Sequence, residues 1–275
     1  MPSQLFIDPC PAEDAKLETP SLAFLLHHST TDKYLLFDMG VRKDYENYPP
    51  SVAPVVRAFE PLSVPQDIIE GLERGGLKPD DIEYVCLSHI HWDHTGNTRL
   101  FGTSKFLIGK DAIPLIETGY PKSADSHFEN DIVPLDRTTF LDPADGQWKP
   151  LGPFPNALDF LGDGSLYIVD TPGHLPGHIT ILARTSADGG WVYLAGDAAH
   201  HWRLVTGEST VAVSHDHSGN VMCAHVDKEV ADITIGRIQA LYKIPRVRII
   251  LAHAAQWWKE NRDGPSFLPG HIESL

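Results

Sequence analysis

The segment Ser-His-Ile-His-Trp-Asp-His-Thr-Gly-Asn over 88–97 places four metal-binding side chains, His89, His91, Asp93 and His94, within six residues. Imidazole and carboxylate are the ligands that zinc, iron and manganese share. His89 and His91 are two apart, so at the end of a strand they point to the same side. Asp93 and His94 converge with them only if the backbone turns there. Three more residues of the same types stand alone, each after an apolar run: His174 in VDTPGH, Asp197 in LAGD and His253 in LAHA. A single strand-end histidine is ordinarily a hydrogen-bonded structural residue. Packing does not require the pattern H-x-H-x-D-H, and clustered imidazoles without partners would cost stability. The five imidazoles and two carboxylates suit two divalent ions, zinc first, with iron or manganese as alternatives.

The elements that must position these groups are legible as apolar runs. Residues 21–28 and 33–40 predict a hairpin, and 82–89 a buried strand ending in the ligand motif. Further strands are expected at 105–109, 166–170, 178–184, 191–197 and 247–253. A short helix is expected over 65–77, with Pro65 at its start and Gly75-Gly76 at its stop. HTGN opens a second helix, and 226–243 has the spacing of a third, with Val230, Ile233, Ile238 and Leu241 on one face. Each ligand candidate follows the C-terminal end of a strand, the edge where α/β sheets place ligands. The stretches 41–65, 119–164 and 200–225 read as long loops, the first carrying five prolines and the last five histidines. Loops of that length commonly serve function, and Tyr45, Tyr48, Phe59, Phe128 and Trp202 are their candidate pocket aromatics. Trp257 and Trp258, just after His253, are open between core, pocket and dimer surface.

The 275 residues include 22 Lys plus Arg and 37 Asp plus Glu, a net charge of −15. That balance argues against a nucleic-acid partner and against an anionic membrane surface. The 42% hydrophobic content is that of a globular chain with a core. Cys10, Cys86 and Cys223 are sparse, odd in number and without a C-x-x-C pair, so neither a disulfide framework nor a thiolate site is expected. The N-terminal stretch lacks a basic region followed by an apolar run, and no stretch approaches ~18 apolar residues. The expectation is a cytoplasmic protein, monomer or homodimer, forming a single domain over 1–275 and acting on a small molecule.

Taken together, H-x-H-x-D-H, TPGH, GD and the final AHA resemble the metallo-β-lactamase superfamily, over roughly residues 20–255. The resemblance implies an α/β fold, a four-layer αβ/βα sandwich of two mixed β-sheets flanked by helices. It implies that His89, His91 and His174 hold one metal, that Asp93, His94 and His253 hold the other, and that Asp197 bridges them. It further implies a hydrolase in which a hydroxide bridging the metals attacks a carbonyl, with Asp93 orienting it and carrying a proton. Within the superfamily the chain is similar to the N-acyl homoserine lactonase branch, which opens a lactone. Glyoxalase II carries Thr and a second Gly where Ser88 and Asn97 stand. Flavodiiron proteins carry Glu at His91. Several lactonases place a substrate-contacting Tyr three residues after the bridging Asp, where His200 stands here. A His at that position suits protonation of an amide nitrogen. A lactam or cyclic carbamate is therefore the alternative to a lactone, with a thioester as a third reading. A non-enzymatic metal-binding sensor or scaffold is the alternative of a different class. Supporting roles are expected for Asp38, beside a ligand or in a turn, and for His178, beside a ligand or in the core. The segment 214–220 echoes the ligand motif, but its His215 and His217 lack the preceding H-x-H and are expected on a solvated or substrate-facing loop. His201 has no assigned role, and Cys86 is expected in the core.

Overall fold

The computed structural model describes residues 2–215 and 218–275. The chain forms two compact units. An N-proximal unit comprises 21–141 and 263–272, and a C-proximal unit comprises 1–20, 142–262 and 273–275.

The N-proximal unit is built on one mixed five-stranded sheet. Its strands run in the order Phe24–His28, Lys33–Phe37, Ile82–Cys86, Lys105–Gly109, Thr138–Leu141. The first pair is the expected antiparallel hairpin, and each later neighbour is parallel. Ile82–Cys86 is central because its apolar residues suit burial; Val85, Cys86 and the following Leu87 are fully buried. The helix expected over 65–77 spans Ile68–Arg74. It starts after Pro65 because Asp67 caps it: the Asp67 carboxylate accepts from Glu70 N at 3.0 Å, and Glu70 accepts from Asp67 N at 3.2 Å.

The loop expected over 41–65 contains a one-and-a-half-turn helix, Ala53–Ala58, with proline in its first turn. Below it Tyr48, Val52 and Val56 form a small core with Val41, Leu62 and Trp92. Tyr48 is thus a core residue rather than a pocket wall. Its hydroxyl donates to Trp92 O at 2.6 Å and accepts from Arg42 N at 3.2 Å, which ties the loop to the ligand motif.

The C-proximal unit carries a mixed six-stranded sheet. Its order is Val247–Ile250, Trp191–Leu194, Ile179–Arg184, Leu166–Asp170, Phe154–Asp159, Lys149–Leu151. Only the first pair is parallel. The segment 119–164, expected to be irregular, therefore supplies one edge strand of the N-proximal sheet and two of this one. Those strands are three to six residues long and are separated by Pro, Gly and Asp turns. Too few of their residues are buried to leave a periodic signal. Likewise 200–225 contains the helix Trp202–Thr206, and its Thr210–Val211 pairs with Ile7–Asp8.

The last long helix spans Lys228–Tyr242, N-capped by Asp227, which accepts from Val230 N at 3.0 Å. Its buried stripe is Ala231, Thr234, Ile235, Ile238 and Leu241. The expected face is corrected at Ile233, which is 55% exposed, because small Ala231 and Thr234 occupy the inner face instead. Among the described residues no helix is long and apolar enough to cross a membrane.

Candidate metal centre

In the N-proximal unit the ligand motif is held from beneath by Asp38. This residue ends the Lys33–Phe37 strand in a left-handed conformation, φ 57°, uncommon for a side chain other than glycine. Its buried carboxylate accepts from Ser88 N at 2.7 Å and from Ser88 Oγ at 2.8 Å. The same carboxylate lies 2.9 Å from His94 Nδ1. Ser88 Oγ, having given its proton to Asp38, accepts from His89 Nδ1 at 2.9 Å. Both His89 and His94 thereby carry the proton on Nδ1 and turn an Nε2 lone pair outward, the tautomer a metal ligand needs.

Local backbone contacts fix the rest. Met39 N donates to His94 O at 2.8 Å and Gly96 N to Gly40 O at 2.9 Å. Gly96 has φ 48°, and a Cβ there would lie 2.7 Å from Met39 Cβ, so only glycine fits. Asp93 and His94 lie within a one-turn helix, Trp92–Thr95, rather than before a helix opened by HTGN; Gly96 ends that turn. Ser21 Oγ donates to the Asp93 carbonyl. His89 Nε2 lies 2.9 Å from His91 Nδ1, and His94 Nε2 lies 3.8 Å from Asp93 Oδ2. Phe128 stacks on His91 with ring centroids 6.0 Å apart.

The C-proximal unit gathers its donors around Asp197. His174 Nε2 is 3.5 Å and His200 Nε2 3.2 Å from Asp197 Oδ2, and His253 Nε2 is 3.3 Å from Oδ1. All four side chains are buried. His178 is buried beneath them, its Nε2 accepting from Asp197 N at 3.1 Å and its Nδ1 meeting Thr171 Oγ1 at 3.0 Å. It therefore positions the backbone of Asp197. His253 Nδ1 donates to Pro20 O at 2.7 Å, which leaves the lone pair on Nε2.

The turn that carries His174 is stitched to the start of the Lys228–Tyr242 helix. Val226 N donates to His174 O at 3.0 Å, Asp227 N to Gly173 O at 2.9 Å, and Thr234 Oγ1 to Pro172 O at 2.7 Å. Gly173, at φ 126°, allows this approach, since a Cβ there would lie 2.4 Å from Ala231 N.

These contacts test whether a metal fits. On His94 and His253 the Nδ1 hydrogen bonds put a lone pair on Nε2, and that lone pair faces a carboxylate, Asp93 or Asp197. Lone pair against carboxylate is repulsive unless a cation lies between, so the donor set fits divalent metal in both units.

The remaining candidates fall elsewhere. His201 caps Trp202–Thr206, its Nδ1 accepting from Arg203 N at 3.2 Å, and burial holds its pKa below the ordinary value. His215 is exposed in a two-residue strand, and His217 lies outside the described residues. Cys86 is buried in the sheet, and burial pushes its thiol well above the ordinary range. Trp202 is 40% exposed and meets Tyr242 edge-on. Trp257 and Trp258 lie on the helix Ala255–Asn261, with the Arg262 guanidinium 4.5 Å from the Trp258 ring centre. Sequence reading passed over His225. It is buried beside His174 and His200, and burial together with His200 depresses its pKa to about 2. The five histidines of 200–225 were the available signal, but nothing in their spacing singles out this one.

Comparison with known proteins agrees with this architecture. The family model described as metallo-beta-lactamase superfamily matches residues 18–218. A gamma-lactamase of Gibberella moniliformis is 37% identical over 170 residues, 61% of this chain and 71% of that one. A gamma-lactamase of Fusarium pseudograminearum is 34% identical over 208 residues, 73% of this chain but only 50% of its own length. Among solved structures, a B. thuringiensis AiiA mutant with N-decanoyl-L-homoserine at its active site superposes with a TM-score of 0.68. That match is 20% identical and covers 99% of this chain and 94% of the other, so it speaks for the fold. The α/β class with two mixed sheets and helices is that of the solved relative, and the chain belongs to the metallo-beta-lactamase superfamily of hydrolases.

Proposed function

We propose that the protein is a two-metal hydrolase that opens a small cyclic amide or carbamate. His89, His91 and His174 would hold one divalent ion, Asp93, His94 and His253 the other, with Asp197 between them and zinc the first choice of metal. The observation that carries the choice of ring is His200. It is buried, its Nε2 lies 3.2 Å from Asp197 Oδ2, and it occupies the position where lactonases resembling this chain carry a tyrosine. The gamma-lactamase relatives, at 37% and 34% identity, support the same choice. The sequence alone favoured the lactone; His200 and these relatives together move the amide ahead.

When bound, two divalent ions at these residues would supply the chemistry of an activated water and a polarised carbonyl. The protein's own groups do the remainder. Asp93 accepts the water's proton and holds it near the reacting atoms. As the new C–O bond forms and the ring C–N bond breaks, His200 in its imidazolium form delivers a proton to the departing nitrogen, which an amide needs more than an ester does, and proton exchange with water then clears Asp93 and reloads His200. Asp38 and Ser88 keep His89 and His94 in the ligating tautomer, and His178 keeps Asp197 in place. The product is an open-chain amino acid from a lactam, or an amine that carries a carbonic acid half-ester from a cyclic carbamate.

The lactone remains the second reading, supported by the fold match to a structure holding an acyl homoserine. The two separate in one comparison, ring opening of matched γ-lactams, cyclic carbamates and γ-lactones by wild type and His200→Ala. The amide reading expects His200→Ala to lower lactam turnover by ~10²–10⁴-fold, the range of general acid catalysis, with a much smaller loss on lactones. Equal losses on both rings would reject His200 as the leaving-group acid and return the lactone to first place.

A further inference from the structure

His225 is brought to the C-proximal site by the backbone bonds described above. Its neighbour Val226 is tied to the carbonyl of His174, and Asp227 to that of Gly173. The three rings His174, His200 and His225 form a nearly equilateral triangle. Centroids are 4.8 Å apart for His174–His200, 5.2 Å for His174–His225 and 4.9 Å for His200–His225. Interplanar angles of 64°, 85° and 64° show that no two rings stack. One ligand nitrogen from each of the three lies within 4.8 Å of those of the other two.

All three are at least 96% buried by relative exposure, with His225 at 3%. Neither ring nitrogen of His225 makes a hydrogen bond to a described residue. A neutral imidazole always presents one N–H and one lone pair. Burying both without a bonding partner costs stability. A phenyl ring would fill the same space without that cost. The position makes chemical sense when something binds the nitrogen.

We propose that His174, His200 and His225 form a further metal site, for a borderline divalent ion of the zinc class. Three imidazoles and no thiolate are the donor set of such an ion; His174, whose Nε2 lone pair would already serve the other ion, would release its Nδ1 proton to solvent and bridge as imidazolate. At Zn–N distances of ~2.0–2.1 Å, three ligand nitrogens around one ion stand about 3.4 Å apart. The triad's ligand nitrogens, within 4.8 Å of one another, would close to that spacing on binding.

The site is additional to the two-metal reading, shares His174 with it as a ligand, and also takes His200, so an ion held there blocks the proton delivery assigned to His200. His174 Nε2 is the nitrogen on the Asp197 side, 3.5 Å away. The opposite ring nitrogen, Nδ1, is the one the triad would use. Sharing makes this ion the weaker-held one, taken up when metal is in excess.

The test is a metal count per chain by elemental analysis, after equilibration with excess zinc and removal of unbound metal, on wild type, His225→Gln and His91→Ala. Circular dichroism confirms that each variant is folded. The proposal expects His225→Gln to hold one ion fewer per chain than wild type, and His91→Ala to keep the ion that His225→Gln loses. An unchanged count in His225→Gln overturns it, and that outcome is distinct from failure of the two-metal reading, which would show as an unchanged count in His91→Ala. Should His225→Gln not fold, cobalt titration of the wild type decides. A ligand-field absorption band that grows with the last equivalent and is absent in His200→Gln supports the site. Its absence in wild type, or its persistence in His200→Gln, overturns it.

Discussion

At the scale of single residues, the tautomers matter more than the ligands' mere proximity. Asp38 sets two of them at once, through His94 directly and through Ser88 for His89. Asp38→Asn keeps the shape but replaces an acceptor oxygen by an NH₂ donor. Metal affinity should fall by ~10–100-fold, as for other partners that orient a metal ligand. Competition with a chromophoric chelator measures it, and affinity within twofold of wild type would reject the role given to Asp38. A second residue-scale consequence concerns acid. Arg42, nearly fully buried, holds Asp44 through hydrogen bonds of 2.7 and 2.6 Å and lowers its pKa from 3.8 to about 2. Between those values the unfolded chain binds more protons than the native one. The pair's contribution is therefore complete above about pH 3.8 and is lost as pH falls towards 2. Because the Asp44 side chain is 42% exposed, the contribution stays below ~1 kcal/mol. Acid unfolding of Asp44→Asn should show a shallower limb in that window; an identical limb would show that the pair is not coupled to folding.

At the scale of elements, each ligand is carried by a strand end whose following turn is locked to another element of its own unit. Gly173 is the tightest of these locks. An added methyl would lie 2.4 Å from Ala231 N, at a φ of 126° that side chains avoid. Gly173→Ala should lower stability by about 1–3 kcal/mol, the usual cost of overpacking, and should weaken zinc retention because His174 moves with the turn. Denaturant unfolding and a zinc count check both, and wild-type values for both would contradict the lock. The strands that carry ligands were legible in the sequence because each is an apolar run of at least four residues that ends in a polar group. So were the ligand candidates, whose types and spacing are improbable for packing alone. The strands at 138–141, 149–151 and 154–159 were not, because most of their residues are only partly buried or exposed and they are separated by Pro, Gly and Asp turns. Ile233 was misassigned because period alone cannot tell which of two adjacent faces a helix buries when small residues line one of them. His225 was invisible because its value comes from the ring triangle with His174 and His200, which are 51 and 25 residues away along the chain.

At the scale of the molecule, the chain distributes its donors over two units, each with its own mixed sheet. Each unit arrives with its histidines already oriented: the N-proximal one by Asp38 and Ser88, the C-proximal one by His178 and Pro20. The most direct test of metal dependence is the rate of opening of a γ-lactam or cyclic carbamate by one preparation in three states: as purified, stripped with chelator, and reloaded with zinc. Turnover should disappear on stripping, while circular dichroism still shows a folded protein, and should return with zinc. Stripped, folded protein that opens the ring as fast as the reloaded sample would contradict it.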